Sequence, residues 1–376
     1  MARIVYGVSG DGAGHSSRAK IVAKYLIDQG HEILIASYDR GYINLRDYFD
    51  VIEISGLSIV TKNNKVDKSK TFTKNFQNLP ETRKRMNYLR KAAFKEFKPD
   101  CVITDFEPQT AYLANHYNIP LVTLDNQHCL RYIEYKCPRR LKANALLAQN
   151  VIKAMVPKPD YSIITTFYEG KLTNNRSFLT APLIRDEILD LQPTDGDYII
   201  VYFTKGFKSL NKMLQEFPRE KFILYGFQNG SEEYKKEANV EYKPFDNEQF
   251  LEDLASCKAI IGTAGFTLIT EGFYLGKPYL ATPMAGQFEQ EYNGYMLEQC
   301  GFGKNMLKLN KNLISAFLYE IPDYKANLKN YNHIGNSEVF NKLDELLAND
   351  LAELKKYHKK RLLSKKIESF FDLLDK

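Results

Sequence analysis

Residues 259–272 read Ala-Ile-Ile-Gly-Thr-Ala-Gly-Phe-Thr-Leu-Ile-Thr-Glu-Gly. An apolar strand enters a glycine turn, and a helix leaves it with Thr267 near its start and Glu271 about one turn in. This join constrains the fold strongly, because strands that alternate with helices build a parallel sheet. The unpaired N–H groups of a helix start carry the positive end of its dipole and suit a phosphate. A carboxylate one turn later suits the neighbouring hydroxyls of a ribose. A second glycine loop, Gly10-Asp11-Gly12-Ala13-Gly14-His15, follows the first strand of the chain. One such loop per half predicts two nucleotide-binding-type domains facing each other.

The 376 residues suffice for two domains of ordinary size. With 44% hydrophobic and 26% charged residues the composition is that of a globular protein. No apolar run approaches the roughly 20 residues that span a bilayer. The start, Met-Ala-Arg-Ile-Val-Tyr, enters a strand at once and lacks signal-peptide form. Five scattered cysteines without a C-x-x-C pair fit free thiols in a cytoplasmic chain, and no Cys/His cluster has zinc spacing. Charge is uneven. Residues 1–185 carry 28 Lys and Arg against 17 Asp and Glu, whereas 186–335 carry 15 against 21. The basic clusters are Lys62, Lys65, Lys68, Lys70 and Lys74, then Arg83, Lys84 and Arg85, then Arg139, Arg140 and Lys142. They are a solvated face, or a surface for anionic lipid or an anionic acceptor. They show no nucleic-acid reader motif, so no nucleic-acid partner is expected.

Strands are expected at Arg3–Val8, Glu32–Ser37, Val51–Ile54, Leu57–Val60, Cys101–Thr104, Pro120–Leu124 and Tyr161–Thr165, with helices between them. Ala181-Pro182-Leu183-Ile184-Arg185 begins a link, after which the pattern restarts at Tyr198–Phe203. Further strands follow at Phe222–Tyr225, Val240–Tyr242, Ala259–Ile261 and Pro278–Ala281. The boundaries read from this are 1–185, 186–335 and a helical tail, 336–376. Leu343, Leu346, Leu347, Leu351 and Leu354 recur at helical spacing in the tail, which is expected to pack on the body; a basic interfacial helix around Lys355–Lys366 is the other reading.

Ligands of open α/β sheets sit beyond the carboxyl ends of the strands. That rule selects Ser9 to His15, Asp39, Asp105, Asn126, Thr204 to Gly206, Gly262 to Thr267 and Pro283 to Gln290. Gly10-x-Gly12 with Asp39 invites a dinucleotide reading, but His15 stands where the third glycine belongs. Imidazole titrates near neutrality, so His15 suits a general base, or else bonds a nearby carbonyl at the helix start. Asp105 orients His15, contacts a hydroxyl, or caps the helix that follows. His128 and Asn126, beyond another strand end, are candidates to touch an acceptor. His31 is expected to be structural. His116, His333 and His358 show no company in sequence.

The chain resembles the GT-B nucleotide-sugar glycosyltransferases, in the branch of the peptidoglycan lipid N-acetylglucosaminyltransferase and the diacylglycerol galactosyltransferases. It is similar above all to an uncharacterised bacterial and archaeal group there. The resemblance covers most of residues 1–335 and rests on Gly12-Ala13-Gly14-His15, Ala181 to Arg185, Gly265 to Glu271, Leu275-Gly276-Lys277-Pro278, and Glu289-Gln290 with Asn293. It implies two Rossmann-like domains across a cleft, with C-terminal helices packing back on the body. It implies that Glu271 binds the donor ribose, and that Ala264, Gly265, Phe266 and Thr267 hold the diphosphate and sugar. Glu289 and Gln290 would bond the sugar hydroxyls, Phe245 would mark the main-chain site of the base, and Arg185 would reach the nucleotide. Gly14 belongs to the same donor-side set, Thr204 and Lys205 would sit at the phosphates, and His15 would be the base.

Two positions depart from the family pattern. Glu289-Gln290 stands where the family has paired glutamines. Phe203-Thr204-Lys205-Gly206 stands where it has a glycine-serine loop, so a lysine brings a full charge to the phosphates. The expected activity is hexosyl or N-acetylhexosaminyl transfer from a UDP-linked donor to an acceptor hydroxyl, with no metal and no separate cofactor. The acceptor is left open between a lipid-linked and an envelope-glycan hydroxyl, and the protein is expected in the cytoplasm, free or peripheral on the inner face of the membrane. A nucleotide-sugar 2-epimerase and a non-catalytic nucleotide-binding protein are the alternatives.

Overall fold

The computed structural model describes every residue other than 57–60, 63–64, 67–78, 135–136, 204–207, 227–234, 245, 332, 334 and 375–376. The chain divides into two compact units. One gathers Met1–Lys62, Val66–Leu183 and Ile334–Lys376, and the other is built from Ile184–His333. The crossing thus falls just before Arg185, and the tail belongs with the first unit.

The first unit is a seven-stranded parallel sheet. Its strands are β1 (Arg3–Val8), β2 (Glu32–Ser37), β3 (Val51–Glu53), β4 (Cys101–Asp105), β5 (Leu121–Asp125), β6 (Tyr161–Thr165) and β7 (Ser177–Thr180), in the spatial order β7-β6-β5-β4-β1-β2-β3. Ile4, Val5 and Tyr6 are all fully buried, as strands covered on both faces must be. Helix α1 (Gly14–Asp28) covers one face through Ala19, Val22, Ala23 and Leu26. Helix α2 (Pro108–Tyr117) and the π-helical turn Arg90–Glu96 cover the other through Ala111, Ala114, Ala93 and Phe94. Helix α3 (Lys142–Met155) lies further along the chain.

The second unit repeats the plan. Strands β8 (Tyr198–Tyr202), β9 (Lys221–Tyr225), β10 (Lys235–Glu237), β11 (Val240–Tyr242), β12 (Ala259–Gly262), β13 (Tyr279–Ala281) and β14 (Gly303–Asn305) form a sheet in the order β10-β11-β9-β8-β12-β13-β14. Within this sheet only the β10–β11 pair is antiparallel among the described strands. Helices α4 (Asn247–Ser256), α5 (Phe266–Tyr274), α6 (Phe288–Gln299) and α7 (Lys311–Leu328) connect or follow these strands.

The tail helix α8 (Ser337–Leu374) is broken at Ala348–Leu351, where three residues take positive φ. Val339, Leu343, Leu346, Leu347, Leu351 and Leu354 enter the same core as α1. Tyr25 stacks on Phe340 with ring centroids 3.9 Å apart, and its hydroxyl donates to Asp344. Beyond the break, His358 Nδ1 lies 3.0 Å from Asp160 Oδ2, and Arg361 Nε lies 2.8 Å from Asp160 Oδ1. His358, solitary in sequence, is therefore part of a docking cluster. The basic stretch near Lys355 includes a buried Arg361, which favours packing over a free interfacial helix. No helix among the described residues is long and apolar enough to cross a membrane.

Candidate active site

In each sheet the chain reverses direction of growth between two neighbouring strands, β1 and β4 in the first unit, β8 and β12 in the second. Crevices beyond the carboxyl ends at such switch points are where open α/β sheets bind ligands. Buried Ser9, Arg18 and Asp105 lie at the first, and buried Thr270, Glu271 and Asn293 near the second.

At the first switch point Val8 pairs with Asp105, and the glycine loop leaves β1 beside the tip of β4. Gly12 has φ +81°, which a side chain would resist. A Cβ on Gly10 would lie 2.0 Å from the Tyr38 carbonyl, so the loop packs directly on the segment after β2. That strand ends at Ser37, and Asp39 starts a short helix with φ 45°. Asp39 therefore does not end the strand as a ribose-binding acid would.

Gly14 and His15 form the first turn of α1, whose N-cap, Ala13, makes no side-chain cap. His15 Nδ1 lies 2.7 Å from Asp105 Oδ1. Arg18, one turn on, forks onto the same carboxylate, Nε to Oδ2 at 2.8 Å and Nη2 to Oδ1 at 2.7 Å. Arg18 Nη2 also comes within 3.2 Å of His15 Nδ1. Both contacts at Nδ1 cannot be hydrogen bonds at once. The shorter one wins, because a bare Nδ1 lone pair facing a carboxylate oxygen would be repulsive. Nδ1–H therefore donates to Asp105, and in the neutral ring Nε2 is then the proton-accepting nitrogen. Asp105 is fully buried. Burial by itself would raise its carboxyl, but Arg18 and His15 hold it below the usual carboxylate range.

Asp105 does not cap α2. Glu107 does, accepting from the backbone N–H groups of Gln109 and Thr110 at 2.7 Å and from the Thr110 hydroxyl at 2.6 Å. Asn126 and His128, expected to face an acceptor, are buried. His128 is held inside by Asp125, through its backbone N at 2.8 Å and its Nδ1 at 2.8 Å from Oδ2. The physical reason is the tight turn after β5, which folds His128 back onto the strand-end carboxylate.

At the second switch point the carbonyls at the end of β12 and in the turn after it are all engaged. The Gly262 carbonyl accepts from Thr282 N and Oγ1, both at 2.8 Å. The Thr263 carbonyl accepts from the Tyr279 hydroxyl at 2.7 Å, and the Ala264 carbonyl from Asn293 Nδ2 at 3.1 Å. Helix α5 then starts at Phe266 with Gly265 as an N-cap that has no side-chain cap. The leading N–H groups of α5, Thr267 included, have no intrahelical acceptor. The field of that helix end favours an anion.

Glu271, one turn into α5, is 3% exposed. Its two oxygens accept from Arg185, Nε to Oε1 at 2.7 Å and Nη2 to Oε2 at 3.0 Å. Burial raises the Glu271 carboxyl, against the pull of Arg185. The two residues expected to grip a nucleotide separately thus grip each other, with a second lone pair left on each carboxylate oxygen. Gln290 Oε1 turns back to accept from Met284 N at 3.0 Å, and Glu289 is half-buried in the first turn of α6. Gly276 has φ +69° and ends α5, as a helix stop would. Lys277 beside it is buried and donates to the Thr194 carbonyl at 2.5 Å, a structural role at the far end of the strand. Thr204, Lys205 and Phe245 lie outside the described residues, as do the expected strand Leu57–Val60 and Lys68, Lys70 and Lys74.

Sequence reasoning missed Arg18, Tyr279 and Thr282. Arg18 carried a signal, its i+3 spacing from His15 on one helix face. Tyr279 and Thr282 carried none, since their partners are set by pairing of β12 with β13.

The profile of Glycosyl transferase family 1 matches residues 2–322. An uncharacterized glycosyltransferase of Methanosarcina acetivorans is 23% identical over 326 residues, 80% of this chain and 85% of that protein. One from Methanosarcina mazei is 24% identical over 339 residues, with the same two shares covered. Among solved structures, the glycotransferase of kitacinnamycin superposes with a TM-score of 0.68 at 14% identity, covering 92% of this chain and 99% of that one. The calicheamicin glycosyltransferase CalG4 superposes with a TM-score of 0.66 at 13% identity, covering 93% and 99%. These two share the fold of two Rossmann-like units seen here. The chain belongs to glycosyl transferase family 1 and is a glycosyltransferase of GT-B fold.

Proposed function

We propose that this glycosyltransferase moves a hexose or N-acetylhexosamine from a UDP-linked donor to an acceptor hydroxyl, without a metal. The observation that carries the donor half is the β12–α5 turn, whose three carbonyls are tied back by Thr282, Tyr279 and Asn293. Its amides are preorganised for the diphosphate, so charge that builds as the diphosphate leaves meets fixed dipoles, often the largest catalytic contribution. Glu271 offers its remaining lone pairs to the ribose hydroxyls, with Arg185 beside it to meet the nucleotide. His15 takes the proton from the acceptor hydroxyl on Nε2 as that oxygen attacks the anomeric carbon. Asp105 holds the tautomer and stabilises the imidazolium, and Arg18 keeps Asp105 ionised. The basic first half supports a lipid-linked or anionic acceptor.

Thermal shift with UDP, GDP and NAD(H), followed by UDP release from UDP-sugars with and without a lipid acceptor, tests this reading. UDP should raise the melting temperature in proportion to RT ln(1 + [L]/Kd), and EDTA should leave turnover unchanged. A shift with NAD(H) alone would end the donor assignment. Conversion of the donor sugar without any acceptor would mark a 2-epimerase instead.

A further inference from the structure

Helix α3 buries only Ala145 and Ile152. On its opposite side Leu146, Leu147 and Val151 are 62%, 59% and 47% exposed, with exposed Ala143 and Ala154 at the same helical spacing. Tyr112 of α2 extends this stripe. Its ring is half exposed and its hydroxyl donates to the Ala154 carbonyl at 2.8 Å, which sets it at the end of α3. Asn150 is the one exposed polar residue inside this stripe. Single exposed apolar residues need no explanation, but five along one side of a helix do. The border of the stripe is basic. No acidic residue occurs between Glu134 and Asp160, whereas Arg139, Arg140, Lys142, Lys153 and Lys158 do occur. Arg139 and Arg140 are exposed on the 3-10 turn that leads into α3.

We propose that α3, with Tyr112, is the surface by which this protein rests on an anionic lipid bilayer. Leu146, Leu147 and Val151 enter the boundary between headgroups and acyl chains, the tyrosine ring sits at headgroup level, and the flanking cations take the lipid phosphates. Charge decides against a second copy of this chain as the occupant. A two-fold contact through α3 would set one cationic border against another with no carboxylate in residues 135–159 to offset it. The inference deepens the lipid-acceptor reading and rests on it only for the purpose of the docking.

Flotation with vesicles of phosphatidylcholine plus phosphatidylglycerol, and with phosphatidylcholine alone, tests it. The protein should float with the anionic vesicles only. The triple variant Leu146→Gln, Leu147→Gln, Val151→Gln keeps helix-forming residues and should bind at least about tenfold more weakly. Arg139→Gln with Arg140→Gln should weaken binding about fivefold for each cation removed and reduce its salt dependence. Both variants should keep the parent's UDP-induced thermal shift, which separates this surface from the donor site. No binding to anionic vesicles, or binding that both variants retain, overturns the proposal. So does a concentration-dependent dimer in sedimentation that the glutamine variant abolishes, because the stripe would then belong to a second copy.

Discussion

Replacing Asp105 by Asn probes the first switch point most directly. The side chain is fully buried, Oδ1 contacts His15 and Arg18, and Oδ2 contacts Arg18. Asparagine keeps the volume but removes the charge, and it turns one acceptor into a donor that faces another donor. Arg18, 6% exposed, then holds a buried charge without its counter-ion. Breaking a buried pair by removing one partner costs about 3–5 kcal/mol. In a unit of this size that lowers the melting temperature by roughly 6–20 °C. His15 also loses the acceptor that fixes its tautomer, so transfer should slow by about 10²–10⁴. Calorimetry and single-turnover transfer measure the two effects separately.

The acid limb gives a third readout. Asp105 has its carboxyl depressed in the folded state, net of the burial that opposes this. Such a group contributes stability above its unfolded pKa and loses that contribution as pH falls through the folded one. The parent should therefore lose stability below about pH 4 with an added slope that Asp105→Asn lacks. A variant that melts with the parent and shares its acid slope refutes the buried ion pair. A variant that melts early yet transfers at full rate refutes the role given to His15.

Two further substitutions address the donor side. Glu271→Gln leaves one acceptor oxygen where two now meet Arg185, and UDP affinity should fall about 10–100-fold by titration calorimetry, given the usual worth of hydrogen bonds to charged groups; unchanged affinity would place the ribose elsewhere. Gly265→Ala should leave stability within about 0.5 kcal/mol, since φ is −72° and the nearest atom to a new Cβ is Thr263 Oγ1 at 3.9 Å. In the proposed donor site the same methyl would stand between the backbone and the diphosphate, so UDP binding should weaken at least about tenfold. A variant as stable as the parent that binds UDP equally well would move the phosphates away from this turn.

The alternation of apolar runs, the two glycine turns and the leucine spacing of the tail are local patterns, and local patterns were enough to read two α/β units and a tail that packs. They also place His15 and Asp105 at strand tips, because residues just past an apolar run sit there whatever the strand order. They leave His358 solitary and assign Arg185 and Glu271 to a ligand without showing that the two clasp each other. Each of these depends on a partner far along the chain, 198 residues away for His358 and 86 for Arg185. Sequence by itself determined which side chains stand at strand tips and helix starts. Only the tertiary structure decided which tips are neighbours, and therefore that Arg18 charges Asp105, that Tyr279, Thr282 and Asn293 strip the carbonyls from the second turn, and that His128 faces inward. The reason is that sheet order is set by burial of whole faces, and no periodicity along one strand records which strand lies beside it.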